Sequence, residues 1–315
     1  MTELDELLRG AWDLHCHCYP ELSLAHRARQ DDLELVSTIA SRGMAGVVLK
    51  SHFWPTPERA YYLQRHAPGI HVLSSITLNH IAGGVDPFPV EAAARLGAKV
   101  VFFPTWSAKN DQQKNGISAV IRRIIPGSPV DSAPGLIVAE HGRLTAEAQA
   151  VLDVSRSFEL AVFTGHVSVE ESLLICAAAR ERGLSVVFSH PASPIVGASP
   201  EAMRAAADMG AYIEFTCLQM MSVRHPLPPR RVAEMIETLG DDRCVLTTDA
   251  FNAWIPPEPE LLRWGVGVLR ECGIPEAGLR RLIVDNPRTV LGLGDADHSS
   301  EARAGDLPTP RGMDD

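Results

Sequence analysis

His15 and His17 stand two residues apart in the run Ala11-Trp12-Asp13-Leu14-His15-Cys16-His17-Cys18. Alternate side chains of an extended strand share a face, so the two imidazoles project together. They make a pair of nitrogen donors for a divalent ion, and zinc takes such donors readily. A chance pair on a strand edge would look the same taken alone. Later strand-like runs, however, also end in residues able to ligate a metal. Cys16 and Cys18 alternate with the histidines and face the other way, so a single strand cannot wrap all four around one ion.

Those later residues follow in chain order. Lys50 and His52 close a strand-like run at 46–50, His80 lies just past a run at 70–77, and Trp106 follows one at 100–104. His166 sits beyond a run at 160–164, and His190 ends one at 185–190. Glu214 lies within 211–216, and Asp249 ends 243–249. Histidines on several strands with a carboxylate on another form a nitrogen-and-oxygen metal site if one rim gathers them.

The elements that must gather them alternate in type. Helical patterns fill 31–42, 56–65, 89–96, 146–157, 169–182, 200–209, 230–239, 259–272 and 277–293 between and after the apolar runs. Apolar strands alternating with helices predict a parallel sheet covered by helices. The strand count and length fit an α/β fold of the (β/α)8 barrel type, in which the functional rim is formed by the C-terminal strand ends. A doubly wound open sheet is the alternative, but no Gly-x-Gly-x-x-Gly follows a strand to support it. We expect one barrel over 1–293 and a disordered tail over 294–315. Residues 105–144, rich in Gly, Pro and Ser, break the rhythm after the fourth strand. They predict an inserted lid carrying a hairpin at 136–144.

Composition narrows the partners. Net charge is −10 and no basic stripe is present, which disfavours nucleic acid and anionic membranes. No apolar run is long enough to span a bilayer, and residues 1–6 are acidic without an apolar stretch. The six cysteines show no disulfide-framework spacing and read as reduced, buried thiols, so a cytoplasmic protein is expected. The expected partner is a small molecule, with self-association into a homo-oligomer left open.

The ordered set His15-x-His17, His166, His190 and Asp249 resembles the amidohydrolase superfamily of metal-dependent hydrolases, with affinity to its phosphotriesterase-like and related uncharacterised branches. Asp285-Asn286-Pro287-Arg288-Thr289-Val290-Leu291-Gly292 resembles the closing Asn-Pro segment common there, so the likeness spans residues 11–293. The resemblance implies that His15, His17, His166, His190 and Asp249 bind one or two divalent ions, most plausibly Zn2+. It also implies that Asp249 doubles as the general base toward a metal-activated water.

The chain departs from the superfamily at one point. Binuclear branches carry a bridging carboxylated Lys or a Glu at the end of strand 4, where this chain has Phe103-Pro104-Thr105-Trp106. Lys50, ending strand 2, is the nearest substitute. Desolvation and nearby cations would depress its pKa toward the free amine that carbamate formation needs. An ammonium that binds substrate or pairs with an acid is the other role open to it. His52 is expected to contact substrate or support catalysis, and Glu214 to satisfy a neighbour inside the barrel. Trp54, His80, Trp106, Arg224 and Trp254 are expected to bind a largely apolar, ring-containing substrate, with Phe53 and Phe251 beside them.

The resulting expectation is a hydrolase that cleaves an amide, imide, lactone or ester bond. Two alternatives stand beside it. One is a mononuclear, non-oxidative decarboxylase, which needs no bridging residue. The other is a barrel that binds metal or ligand without turnover.

Overall fold

The computed structural model describes residues 3–127, 133–223 and 226–294. Parallel strands hydrogen-bond in chain order: β1 (Trp12–Cys16), β2 (Gly46–Leu49), β3 (His71–Thr77), β4 (Ala98–Phe102), β5 (Ala161–Phe163), β6 (Val186–Phe188), β7 (Tyr212–Thr216) and β8 (Cys244–Thr247). Beyond β8 the chain returns to β1. The Asp249 N–H donates to His15 O at 2.8 Å, and the His17 N–H to Ala250 O at 3.1 Å. Helices separate the strands and pack outside, which makes the (β/α)8 barrel expected from the alternation.

The strands are apolar on both faces because both are covered. Trp12, Leu14, Val48, Val100, Phe102, Phe163 and Val245 fill the interior together with Val290 and Leu291 of the closing segment. Val47, Leu49, Val101, Val162, Phe188 and Leu246 face the helical layer. The Asn286 side-chain amide donates to Asp241 O and Cys244 O, both at 2.7 Å, and so fastens the closing segment to the start of β8.

A bulge in β1 decides where the histidines point. Asp13 is opposite Val47 and Cys16 opposite Leu49, so β1 carries one more residue than β2 over that stretch. Trp12 and Leu14 point inward below the bulge and Cys16 outward above it. The phase therefore inverts, and His15 and His17 join the inner face, a known use of bulges next to functional sites.

Beyond β4 the chain forms two helices, Lys109–Gln113 and Ile117–Ile124, before the short antiparallel pair Ala139–Glu140 and Arg143–Leu144. The hairpin matches the sequence expectation. The helices were not expected, although Ile117, Val120, Ile121 and Ile124 have helical spacing. Their apolar face joins Leu22, Phe53, Trp106 and Phe251 in a small cluster at the rim. The expected disordered tail lies outside the described residues from 295 onward, as does Arg224. No helix among the described residues is long and apolar enough to cross a membrane.

Candidate active site

An arc of imidazoles lines the C-terminal rim of the barrel. Its ring centroids are separated by 4.5 Å (His52–His17), 5.4 Å (His17–His15), 5.8 Å (His15–His190) and 4.9 Å (His190–His166). His15 and His17 come from β1 and the residue after it, His52 from beyond β2, His166 from beyond β5, and His190 from beyond β6.

Three of these rings have Nδ1 held by a buried carboxylate. His15 pairs with Glu214 at 2.8 Å, His17 with Glu21 at 2.9 Å, and His166 with Asp111 at 2.7 Å. A carboxylate accepting the Nδ1 proton leaves the Nε2 lone pair facing inward, the arrangement that supports metal-binding histidines. Glu214 also accepts from the Thr247 hydroxyl at 2.9 Å and from the His190 N–H at 3.0 Å.

The inward nitrogens converge on Asp249. Its Oδ1 lies 3.1 Å from His15 Nε2 and 3.4 Å from His17 Nε2. The fully buried Lys50 brings Nζ within 2.9 Å of His15 Nε2 and 3.3 Å of His17 Nε2, above the Phe102 ring. Lone pairs and a carboxylate oxygen this close repel one another unless a cation lies among them. The electrostatics agree. Burial and Lys50 both oppose charge on His15, yet Glu214 and Asp249 hold its pKa up at about 9. Burial pushes the Asp249 carboxyl up, but His15 and His17 outweigh it and keep the group well below the usual carboxylate range.

Two other members of the arc, His190 and His52, are held neutral. Burial, reinforced by neighbouring His166, brings His190 down to about 3, and burial with Lys50 and His17 nearby holds His52 well below normal. Burial also lowers Lys50, against the pull of Asp249, Glu21 and Glu214. Donor atoms lie within 4.8 Å of one another in the sets His15–His17–Asp249, His15–His190–Glu214 and His17–Glu21–His52. Each set could hold a metal ion.

Two of the residues are held in backbone conformations that non-glycine residues seldom adopt. His190 has φ 26° and Asp249 φ 51°, both just past the ends of their strands. The sequence reading extended β6 and β8 through these positions. The strands stop short instead, and the turns aim the side chains at the rim.

A cavity of about 770 Å³ opens over the arc. His52, His166, His190 and Asp249 line it below, and Ile117, Val120, Leu218, Phe251 and Trp254 form apolar walls. Of the residues expected to bind substrate, Trp254 therefore lies on the cavity. Trp54 does not line it and is 66% exposed. Trp106 is a core residue whose indole N–H donates to His52 O at 3.0 Å. His80 donates to Pro134 O at 2.7 Å and lines a separate groove with Arg143. Rim loops place aromatic residues outward and inward alike, so sequence position alone does not select the cavity wall.

Sequence reasoning missed Glu21 and Asp111. Glu21 lies four residues beyond His17, and Asp111 sits in the insertion, where no local pattern marks an acid as a partner of His166. Asn79 was missed too. Its amide donates to His52 O and to the Thr105 hydroxyl while its carbonyl accepts from the Thr105 and Ser107 N–H groups, which fixes the turn carrying His52. His71 begins β3 and stacks on Trp12 with ring centroids 5.4 Å apart.

The fold is shared with solved structures of an amidohydrolase, a probable hydrolase and a decarboxylase. An amidohydrolase from Pseudomonas aeruginosa superposes with a TM-score of 0.63 at 14% identity, over 92% of this chain and 98% of that one. A probable 2-pyrone-4,6-dicarboxylic acid hydrolase from Acinetobacter baumannii gives 0.56 at 12% identity, over 90% and 100%. A 2,6-dihydroxybenzoate decarboxylase from Rhizobium gives 0.53 at 11%, over 90% and 99%. No curated protein matches the sequence. The chain belongs to a family of unknown function, DUF6282, whose model matches residues 10–214.

Proposed function

We propose that this chain is a metal-dependent hydrolase that cleaves an amide, imide, lactone or ester bond of a small, ring-containing substrate. The observation that carries this reading is the trio of imidazoles held at Nδ1 by Glu214, Glu21 and Asp111, with Nε2 turned toward the rim. The donor set fits a divalent ion such as Zn2+: imidazole nitrogens and one ionised carboxylate oxygen surround a spot that demands positive charge. His15, His17 and Asp249 would hold one ion, and His166 and His190 a second. A bound divalent ion supplies Lewis acidity, lowering the pKa of water and polarising a scissile carbonyl.

The remaining chemistry belongs to the chain. Asp249 stays ionised and, being about a quarter exposed to the cavity, can accept a proton from water and return it to the leaving group. His52 stays neutral and offers a hydrogen bond to the substrate at the cavity floor. The apolar walls bind the ring and exclude bulk water. Lys50 would serve as a carboxylated bridge, because an ammonium between His15 and His17 would compete with a metal ion for the same nitrogens.

The test is to assay metal-loaded protein against panels of cyclic amides, imides, lactones and esters. We expect turnover in at least one panel and its loss in Asp249→Asn. Protein that retains its metal and turns over none of them would overturn the reading.

One observation favours a second reading. Strand 4 leads into Thr105, whose hydroxyl is engaged by His52 and Asn79 and provides no bridging ligand. A mononuclear, non-oxidative decarboxylase needs none, and a 2,6-dihydroxybenzoate decarboxylase shares the fold. Carbon dioxide release from aromatic acids distinguishes the two.

A further inference from the structure

Asp111 faces two structures at once. Its Oδ2 is 2.7 Å from His166 Nδ1 and also accepts the Ile117 N–H at 3.1 Å, while its Oδ1 accepts the Ser118 N–H at 2.9 Å. The second and third contacts satisfy the first free amides of the rim helix Ile117–Ile124. Asp111 is fully buried, so no solvent competes for any of the three. Around it the chain closes tightly. A Cβ at Gly116 would lie 2.4 Å from Asp111 Oδ2, and the Gly116 N–H donates to Asp111 O at 2.9 Å. The neighbouring Asn110 amide donates to His166 O and to Ile195 O, both at 2.9 Å.

The same helix builds the cavity wall through Ile117 and Val120, and seals the rim through Ile121 and Ile124. One carboxylate thus joins a candidate metal ligand to the wall that a substrate would meet.

We propose that Asp111 is a positioning residue that couples metal binding at His166 to the seating of the rim helix. The proposal rests on the metal-site reading of function. Its physical basis is that the carboxylate has one geometry that serves all three donors. Fixing the His166 ring therefore fixes the helix start, and the reverse. Coupling of this kind is reciprocal: the factor by which metal orders the helix equals the factor by which an ordered helix tightens metal binding. Losing a carboxylate behind a ligating histidine costs roughly 10–100-fold in metal affinity.

The experiment uses the full chain and two variants. Co2+ is titrated by its visible absorption, and amide hydrogen exchange over residues 117–124 is followed with and without Zn2+. In the parent, Zn2+ is expected to slow exchange across 117–124. In Asp111→Asn, we expect metal affinity to fall by at least 10-fold, exchange across 117–124 to speed up, and the zinc effect on exchange to vanish. Ile121→Ala leaves Asp111 and the ligands untouched and loosens the helix only through its packing in the rim cluster, so it separates coupling from simple support and stands in if Asp111→Asn fails to fold. We expect it to weaken Co2+ binding as well as to loosen the helix.

Weakened metal binding with unchanged exchange would reduce Asp111 to a partner of His166 alone. Faster exchange with unchanged metal affinity would make it only a helix cap. Either result overturns the proposal and leaves the functional reading intact. A parent chain that binds neither Co2+ nor Zn2+ overturns both.

Discussion

His15 of β1 and Glu214 of β7 meet inside the barrel with Nδ1 and Oε1 2.8 Å apart, both shut off from solvent. Glu214 uses both oxygens: Oε1 also takes the Thr247 hydroxyl and Oε2 the His190 N–H. It therefore sets the His15 tautomer and helps hold His190 in its positive-φ turn. Glu214→Gln preserves size but turns an N–H toward one of these donors, leaving a buried group unpaired at a cost of about 1–3 kcal/mol. We expect a measurably lower thermal midpoint and metal affinity reduced by roughly 10–100-fold, read by calorimetry and competitive chelator titration.

Asp249 lies 3.1 and 3.4 Å from the inward nitrogens of His15 and His17 and stays ionised because of them. Asp249→Asn removes the proton acceptor while keeping the shape. Turnover on any responsive substrate should fall by about 10²–10⁴-fold, the usual contribution of a general base. Comparing kcat with KM checks the assignment, since the loss should lie in kcat.

The barrel was legible in the sequence because parallel strands buried on both faces leave continuous apolar runs, and helices between them keep their own period. His15 and His17 were legible for the same reason: alternation alone puts them on one face. The bulge that turns that face inward was not, because an extra residue in β1 shows only against its partner strand. Glu21 and Asp111 were hidden as well, since their meaning comes from tertiary approach to His17 and His166 rather than from local spacing. The rim helix was written in Ile117, Val120, Ile121 and Ile124, but the surrounding Gly, Pro and Ser left the hairpin as the one regular element read in the insertion. Trp106 shows the opposite error: its indole packs and donates inward beneath the rim instead of lining the cavity.

Lys50 is buried beside two imidazoles with its pKa lowered chiefly by burial. The free amine this favours is the form that takes up carbon dioxide. Protein equilibrated with ¹³C-bicarbonate and metal should show a bound carbamate carbon resonance that is absent in Lys50→Met. An unmodified Lys50 in metal-loaded protein would assign the amine to the substrate pocket instead.

Behind the rim, Asp13 accepts from the His15 and Thr248 N–H groups, and burial raises its pKa to about 6, with Glu258 also held well above normal by burial and by Asp13. A carboxyl whose pKa is raised on folding binds its proton more tightly in the folded chain. Its contribution to stability is therefore most favourable at acid pH and declines as pH rises from the unfolded value near 4 through about 6. Relative to Glu258→Gln, the parent is expected to lose thermal midpoint over this window and beyond. Glu258→Gln should flatten that fall and raise the midpoint at pH 8, by calorimetry across a pH series.

Metal content per chain, measured by elemental analysis on protein purified without chelator, tests the central claim most directly. The arrangement of His15, His17, Asp249, His166 and His190 predicts at least one divalent ion per chain, with the content falling in His17→Ala. About two ions would support Lys50 as a bridge, and about one the mononuclear arrangement. A folded chain that holds none, and takes up none when zinc is supplied, would contradict the account.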